Sequence, residues 1–132
     1  MSAGPKILLI EDNPLNMELA TDLLEASGFE VISAHSGEAG IKLAREAQPD
    51  LILMDLSLPG MDGIEATKAL KADPQTSAIP IVAVTAHAMK GDEQKALAVG
   101  CEGYITKPID TRMFPMLVAQ HLQRASGGKT SL

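Results

Sequence analysis

The sequence predicts an α/β fold in which five strands and five helices alternate along one chain. Short β-type runs recur about every twenty to thirty residues, and segments with apolar residues at helical spacing lie between them. Several runs are almost entirely apolar, as expected for strands that helices cover on both faces, which is typical of a parallel sheet. Regular alternation of strand and helix then favours a (βα)₅ doubly wound, parallel five-stranded sheet.

The predicted strands differ in how apolar they are, which indicates their place in the sheet. The first, third and fourth runs are expected in the interior, whereas the second has charged neighbours and is expected nearer an edge. The strands are expected at KILLI (6–10), EVISA (30–34), LILMD (51–55), PIVAVT (80–85) and GYIT (103–106).

The predicted helices are bounded by residues that commonly begin or end helices. Asn13 is expected as the N-cap of the first helix, with Pro14 at its first position and Gly28 just beyond its end. Ser36 is expected to begin the second helix. Pro115 is expected in the tolerated first turn of the fifth. The helices are expected at 14–26, 37–47, 64–72, 92–99 (closed by Gly100) and 113–122.

Length and composition indicate one globular domain. The chain has 132 residues, of which 45% are hydrophobic and 21% charged, a composition that argues against disorder and against a membrane protein. We expect the folded domain over residues 1–124 and a flexible C-terminal tail over 125–132. Because the chain ends soon after the fifth helix, no separate output domain is expected, and output is expected to run through protein contact.

Net charge and cysteine content limit the classes of partner. Eleven basic residues against 17 acidic ones give a net charge of −6, which repels phosphate backbones and disfavours nucleic-acid binding. Cys101 alone cannot form an internal disulfide, which suits a reducing compartment, so a cytoplasmic location is expected. No apolar run approaches the ~20 residues that a membrane span needs.

Polar side chains follow the predicted strands at the edge where ligands bind in an open parallel sheet. Glu11 and Asp12 follow the first strand, Asp55 ends the third, Thr85 ends the fourth and Lys107 follows the fifth. Any one of these acids alone is more simply an N-cap or a solvated loop residue. Their joint placement, each at the end of an apolar run, favours a functional site.

Three neighbouring carboxylates repel one another and therefore favour a bound cation. Two unit charges about 4 Å apart repel by about 4 kcal/mol at an effective dielectric constant of about 20. Oxygen ligands suit Mg²⁺, whereas zinc is disfavoured because no histidine or cysteine cluster accompanies the acids. A lysine and a hydroxyl across from a metal suit a phosphoryl group, and a carboxylate can be its nucleophilic acceptor. The pattern predicts phosphoryl-acceptor chemistry.

Five short motifs occur in the order and spacing of a known family. They are EDN (11–13), LMD (53–55), LPGMDG (58–63), VTA (84–86) and KP (107–108). The chain resembles the receiver domains of two-component response regulators, the CheY-like family, over nearly its whole length. The resemblance implies a flavodoxin-like fold with strand order 2-1-3-4-5. It also implies a phosphorylation-controlled binding module that catalyses its own phosphoryl transfer and slow dephosphorylation, and not a conventional enzyme.

The resemblance assigns the acidic residues to an acceptor and a metal site. Asp55 would be the phosphorylated residue, and Asp12 and Asp55 would bind Mg²⁺ together with the backbone carbonyl of Ser57. Glu11 stands where many relatives have Asp, and its extra methylene favours contact with the metal through water.

The same resemblance assigns the phosphoryl contacts and the switch. Thr85 would bond one phosphoryl oxygen, and Lys107 would neutralise another. Tyr104 would be the aromatic switch, that is, the residue whose ring turns when the domain is phosphorylated. A cis peptide is implied between Lys107 and Pro108. The LPGMDG loop is most simply a turn whose proline and glycines set the backbone geometry beside Asp55.

The implied partners are proteins. The phosphoryl donor would be a histidine kinase or a histidine phosphotransfer protein, and a downstream target would bind the face formed by helix 4, strand 5 and helix 5. The chain would be a monomer or a phosphorylation-dependent dimer; the cognate kinase, the target and the phosphoryl lifetime stay open. Three alternatives are disfavoured. A phosphatase of the haloacid dehalogenase type carries a DxD pair after its first strand, whereas the acceptor expected here follows the third. An FMN-binding flavodoxin needs a hydroxyl-rich phosphate loop where this chain is acidic, and a structural pseudo-receiver is disfavoured because the acidic set is intact.

Overall fold

The computed structural model describes residues 4–56, 63–85, 90–106 and 111–130 and shows strands and helices in strict alternation. The elements are β1 (Lys6–Ile10), α1 (Pro14–Ala26), β2 (Glu30–Ala34), α2 (Gly37–Ala47), β3 (Leu51–Asp55), α3 (Gly63–Ala72), β4 (Ile81–Thr85), α4 (Lys90–Ala98), β5 (Gly103–Thr106) and α5 (Phe114–Thr130). All strands pair in parallel in the order β2-β1-β3-β4-β5, which confirms the predicted fold class and strand order.

Both faces of the sheet are buried, each against different helices. One face packs against α2, α3 and α4, and the other packs against α1 and α5. Because successive strand residues point to opposite faces, neighbours such as Leu8 and Leu9 enter different cores. Every residue of β3 and β4 is buried, whereas β2 is largely exposed or half-buried, which confirms that it lies at an edge.

The ends of α1 confirm the predicted capping residues. Asn13 Oδ1 accepts the backbone N–H groups of Leu15 at 2.9 Å and Asn16 at 3.1 Å, so the helix begins at Pro14. Beyond its end, Gly28 has a φ of 95°, a left-handed conformation that favours glycine, and its N–H satisfies a late carbonyl of the helix. Since Asn13 follows Asp12 directly, this cap also fixes the backbone beside the predicted acidic site.

Six element ends differ from the prediction. Four of them shift by one or two residues at helix ends, since α3 begins at Gly63, α4 spans Lys90–Ala98 and α5 begins at Phe114. β4 begins at Ile81 and not at Pro80, because proline has no N–H to donate to a sheet ladder. α5 reaches Thr130, beyond its predicted end at residue 122 and into the segment expected as a flexible tail. The two glycines in that segment weaken a helix by about 1 kcal/mol each but do not block it as proline would. The domain boundary at residue 124 stays a prediction.

Polar contacts join the C-terminal end of α2 to the loop after α3. Arg45 Nε donates to Asp73 Oδ2 at 2.6 Å, and Gln48 Nε2 donates to the Gln75 carbonyl at 3.0 Å. Gln48 has a φ of 48°, a left-handed conformation that residues with a side chain adopt uncommonly. Its amide group offsets this strain, because it also donates to the carbonyls of Ala44 at 3.3 Å and Arg45 at 3.2 Å.

Asp73→Asn is expected to lower thermal stability slightly at neutral pH, and the loss is expected to disappear in acid. The backbone N–H of Gln75 and then the Arg45 side chain lower the pKa of the Asp73 carboxyl from its ordinary value of 3.8. A carboxyl whose pKa folding depresses stabilises the protein above its unfolded-state pKa, and this contribution is lost as pH falls through the folded-state pKa. The effect is small because the Arg45 side chain is 51% exposed, so water and salt screen the ion pair.

Thermal unfolding of wild type and Asp73→Asn, measured from neutral pH down to well below 3.8, tests this expectation. Glu46→Gln on the exposed face of α2 serves as a control for the loss of one negative charge. A stability difference that stays constant across the whole pH range would contradict the assignment.

Candidate functional site

The carboxyl ends of β1, β3 and β4 meet at one edge of the sheet, where the predicted site residues lie. Glu11 follows β1 directly, while Asp55 and Thr85 are the last residues of β3 and β4. All three are buried, with exposed fractions of 4% for Glu11 and 2% for Asp55 and Thr85. Parallel pairing of β3 with β1 on one side and β4 on the other brings these strand ends together.

Glu11, Asp12 and Asp55 form a compact carboxylate cluster. One carboxylate oxygen from each residue lies within 4.8 Å of the others, and only Asp12 of the three is exposed. Glu11 is held at both its backbone and its side chain, because its N–H donates to the Ala34 carbonyl at 3.0 Å and its Oε2 accepts the Asn13 N–H at 3.1 Å. The structure thus brings together the three acids that the sequence predicts at this edge.

The carboxylate cluster fits a hard divalent cation. Its potential ligands are all carboxylate oxygens, and the group found among the described residues includes no histidine or cysteine. Oxygen-only sites of this kind suit Mg²⁺ and disfavour zinc. Burial of two of the three acids strengthens their mutual repulsion, because water screens buried charges poorly. A cation would offset that repulsion.

Thr85 and Tyr104 lie on the same face of the sheet. In the parallel register Ala83 pairs with Tyr104, and Thr85 pairs with Thr106. Because residues two apart on a strand share a face, Thr85 lies on the face that carries Ala83 and Tyr104. Tyr104 is half-buried and packs against the core under α2, α3 and α4. The two predicted switch residues are therefore neighbours on adjacent strands.

Three predicted site residues lie outside the described residues, namely Ser57, Lys107 and Pro108. The backbone-carbonyl metal ligand, the phosphoryl contact of Lys107 and the cis peptide before Pro108 therefore stay predictions.

Gly63, the first residue of α3, adjoins the end of β3, and Thr67 one turn later bonds to Gly63. A Cβ at Gly63 would lie 2.4 Å from the Asp55 carbonyl oxygen, so only glycine lets the first turn of α3 come this close. Thr67 Oγ1 donates to the Gly63 carbonyl at 2.7 Å. The sequence predicts that the proline and glycines of LPGMDG set the backbone geometry beside Asp55. Residues 58–62 of that motif lie outside the described residues, and Gly63 does lie against Asp55. The sequence assigns no role to Thr67. A threonine four residues after a glycine at a helix start is the signal that points to this contact.

Comparison with known proteins decides which family the chain represents. Residues 7–118 match the family model of the response regulator receiver domain. The chain belongs to the response regulator receiver family. This receiver domain is 51% identical over 116 residues to the polar-differentiation response regulator DivK of Brucella ovis, an alignment that covers 88% of this chain and 94% of the relative.

Two solved structures illustrate the shared fold. The chemotaxis response regulator CheY4 of Vibrio cholerae matches with a TM-score of 0.84 and 26% identity, over 89% of this chain and 98% of that one. The receiver domain of a sensor histidine kinase from Pseudomonas aeruginosa matches with a TM-score of 0.82 and 35% identity, over 95% and 99% of the two chains. That second structure has a magnesium ion coordinated in its active site cleft.

Family membership makes this receiver domain a module of two-component signalling, of the CheY-like type. Such domains interact with kinases and with downstream targets. The haloacid dehalogenase and flavodoxin alternatives are different families and are set aside. Within the part of the chain that the structure describes, no helix is long and apolar enough to cross a membrane.

Proposed function

We propose that Asp55 of this receiver domain accepts a phosphoryl group from the phosphohistidine of a histidine kinase or a histidine phosphotransfer protein. The observation that carries the proposal is the carboxylate cluster, whose oxygens lie within 4.8 Å of one another at the carboxyl end of the sheet. Asp55 ends the central strand β3, between β1 with its acids and β4 with Thr85. Of the three acids, it is the one flanked on both sides by other predicted site residues.

The transfer exchanges a phosphorus–nitrogen bond for a phosphorus–oxygen bond. A carboxylate oxygen of Asp55 attacks phosphorus, the bond to the donor's imidazole nitrogen breaks, and that nitrogen keeps the electron pair and takes up a proton. The product is an acyl phosphate on Asp55. Attack by water on the phosphorus later releases inorganic phosphate and restores the carboxylate. The domain would catalyse both its own phosphorylation and this slow dephosphorylation.

The carboxylate cluster is the proposed Mg²⁺ site. Asp12 and Asp55 would hold the ion together with the Ser57 backbone carbonyl, and Glu11 would contact it through water. Glu11 suits an indirect role because its Oε2 already accepts the Asn13 N–H at 3.1 Å. The magnesium in the Pseudomonas aeruginosa receiver, which is 35% identical, supports this assignment. When bound, the cation would neutralise part of the acidic charge that an incoming phosphoryl group meets.

Thr85, Lys107 and Tyr104 would convert the phosphoryl group into altered partner binding. The Thr85 hydroxyl would bond one phosphoryl oxygen, and Lys107 would neutralise another. Movement of Thr85 toward the phosphoryl group would free space for the Tyr104 ring, which shares its face of the sheet. The downstream protein target would bind the face formed by α4, β5 and α5.

The proposed setting is the cytoplasm, with the receiver domain spanning residues 1–124 as a monomer or a phosphorylation-dependent dimer. The single cysteine suits a reducing compartment. The net charge of −6 disfavours nucleic acid as a partner, so output would run through protein contact.

Incubation with acetyl phosphate and Mg²⁺ is expected to add one labile phosphoryl group to the protein, which intact-mass spectrometry measures. The same incubation with excess chelator is expected to add none, because the acidic cluster then repels the phosphate donor. Equal addition in chelator would contradict the metal role. No addition under either condition would overturn the proposed function.

A further inference from the structure

We propose that Thr67 is a positioning residue for phosphoryl transfer, because its hydroxyl holds the first turn of α3 against the backbone of Asp55. The inference rests on the proposed function of Asp55 and adds a residue outside the carboxylate cluster. Thr67 lies one turn into α3, and it acts on the acceptor through Gly63.

The end of β3 is held by contacts on two sides. On one side the Leu56 N–H donates to the Val84 carbonyl of β4 at 3.1 Å. On the other side Gly63, the first residue of α3, lies directly on the strand end. A Cβ at Gly63 would be 2.4 Å from the Asp55 carbonyl oxygen and 2.6 Å from Leu56 Cα. The position of Gly63 therefore determines the backbone position from which the Asp55 side chain extends.

Thr67 fixes the carbonyl of that same glycine. Its Oγ1 donates to the Gly63 carbonyl at 2.7 Å, and Thr67 is 0% exposed, so bulk water does not compete for this bond. A helical threonine that bonds to a carbonyl four residues earlier tends to bend the helix. The buried hydroxyl thus sets the angle at which the first turn of α3 meets the end of β3.

Cys101, in the loop before β5, contacts the Thr67 hydroxyl as well. Its Sγ lies 4.0 Å from Thr67 Oγ1. The hydroxyl has a single proton, which it donates to the Gly63 carbonyl, so the thiol is the donor in the sulfur contact. Burial raises the pKa of the Cys101 thiol, which therefore keeps its proton. The Thr67 hydroxyl therefore lies between the Gly63 carbonyl and the Cys101 thiol, and it points its proton toward the carbonyl.

Thr76 is a matched control near the other end of the same helix. It is 1% exposed, and its Oγ1 donates to the Leu70 carbonyl at 2.6 Å. Leu70 belongs to the last turn of α3, whereas the contact with Asp55 is made by the first residue of the helix. Loss of the Thr76 hydroxyl removes a comparable buried hydrogen bond without disturbing the acceptor.

The test measures the rate of phosphoryl gain from acetyl phosphate at saturating Mg²⁺. Thr67→Val and Thr67→Ala lack the hydroxyl, and we expect both to react about tenfold more slowly, since a misplacement of about 1 Å can slow a reaction about a hundredfold. Thr67→Ser keeps the hydroxyl and is expected to react at close to the wild-type rate. Thr76→Val is expected to lose thermal stability but to keep the wild-type rate.

If Thr67→Val fails to fold, Thr67→Ser and Thr67→Ala still decide the result, because these two variants differ from each other only in the hydroxyl. Equal rates for Thr67→Ser and Thr67→Ala would overturn the inference, as would the same slowing in Thr76→Val. Both outcomes would leave the proposed function in place. A wild-type protein that gains no phosphoryl group would overturn the proposed function, and the inference with it.

Discussion

Asp55→Asn is expected to abolish phosphoryl gain from acetyl phosphate. Asparagine keeps the size and shape of the side chain, but its neutral amide oxygen is a poor nucleophile compared with a carboxylate. Intact-mass spectrometry should show one addition to the wild type and none to the variant after the same incubation with Mg²⁺. Asp22→Asn removes the same charge from an exposed position of α1 and is expected to react like the wild type.

The same substitution is expected to raise the melting temperature measured without Mg²⁺. It removes one of three neighbouring negative charges, two of which are buried. Two unit charges about 4 Å apart repel by about 1 kcal/mol in water and by about 4 kcal/mol at an effective dielectric constant of about 20. A higher melting temperature also shows that the variant is folded. Undiminished phosphoryl gain in Asp55→Asn would mean that another residue is the acceptor.

The strands and the ends of α1 and α2 could be predicted because their causes are local. Residues 51–54 form an apolar run of the kind expected for a strand covered on both faces, and every residue of β3 is indeed buried. Asn13 caps the start of α1 with its own side chain, and Gly28 follows the end of the helix because glycine readily adopts a left-handed conformation. The position of the carboxylate cluster was equally predictable, because parallel strands place their carboxyl ends at one edge whatever their separation in sequence.

What the sequence did not show depends on contacts between distant segments. Gln48 adopts a left-handed conformation because its amide group finds carbonyls on α2 and on the loop after α3, and glutamine has no local preference for that conformation. The LPGMDG motif places its glycines beside Asp55, but the closeness with which α3 approaches β3 at Gly63 is not encoded by any local pattern. The direction of the Thr67 hydroxyl follows from that approach.

Thr85→Ala is expected to separate phosphorylation from output. The variant keeps Asp55 and the other acids, so it should still gain the phosphoryl group. It lacks the hydroxyl that would bond a phosphoryl oxygen, and a hydrogen bond to a charged group contributes about 1.5–3 kcal/mol. Moving a two-state equilibrium from about 1:99 to about 99:1 needs about 5.5 kcal/mol, so this loss weakens the shift by about tenfold to a hundredfold.

Tyr104 is expected to report the switch directly. It is the single tyrosine of a chain that has no tryptophan, so its fluorescence or its ring NMR signals can be followed without an added probe. Beryllofluoride, which mimics the phosphoryl group, should change the ring environment in the wild type, because Tyr104 shares a sheet face with Thr85. In Thr85→Ala the change in the Tyr104 signal should be much smaller when beryllofluoride occupies the site to the same extent.

Thr106→Ala is the matched control for this experiment, because Thr106 pairs with Thr85 across β4 and β5 but is exposed. It removes the same hydroxyl from the adjacent strand and should leave the Tyr104 response at its wild-type size. An unchanged ring environment in the wild type would refute the coupled switch, and so would equal responses in the wild type and Thr85→Ala. Either result would leave Asp55 as the acceptor, because phosphoryl gain is measured separately by mass. A reduced response in Thr85→Ala alone would show that the buried hydroxyl at the end of β4 passes the phosphoryl signal to β5.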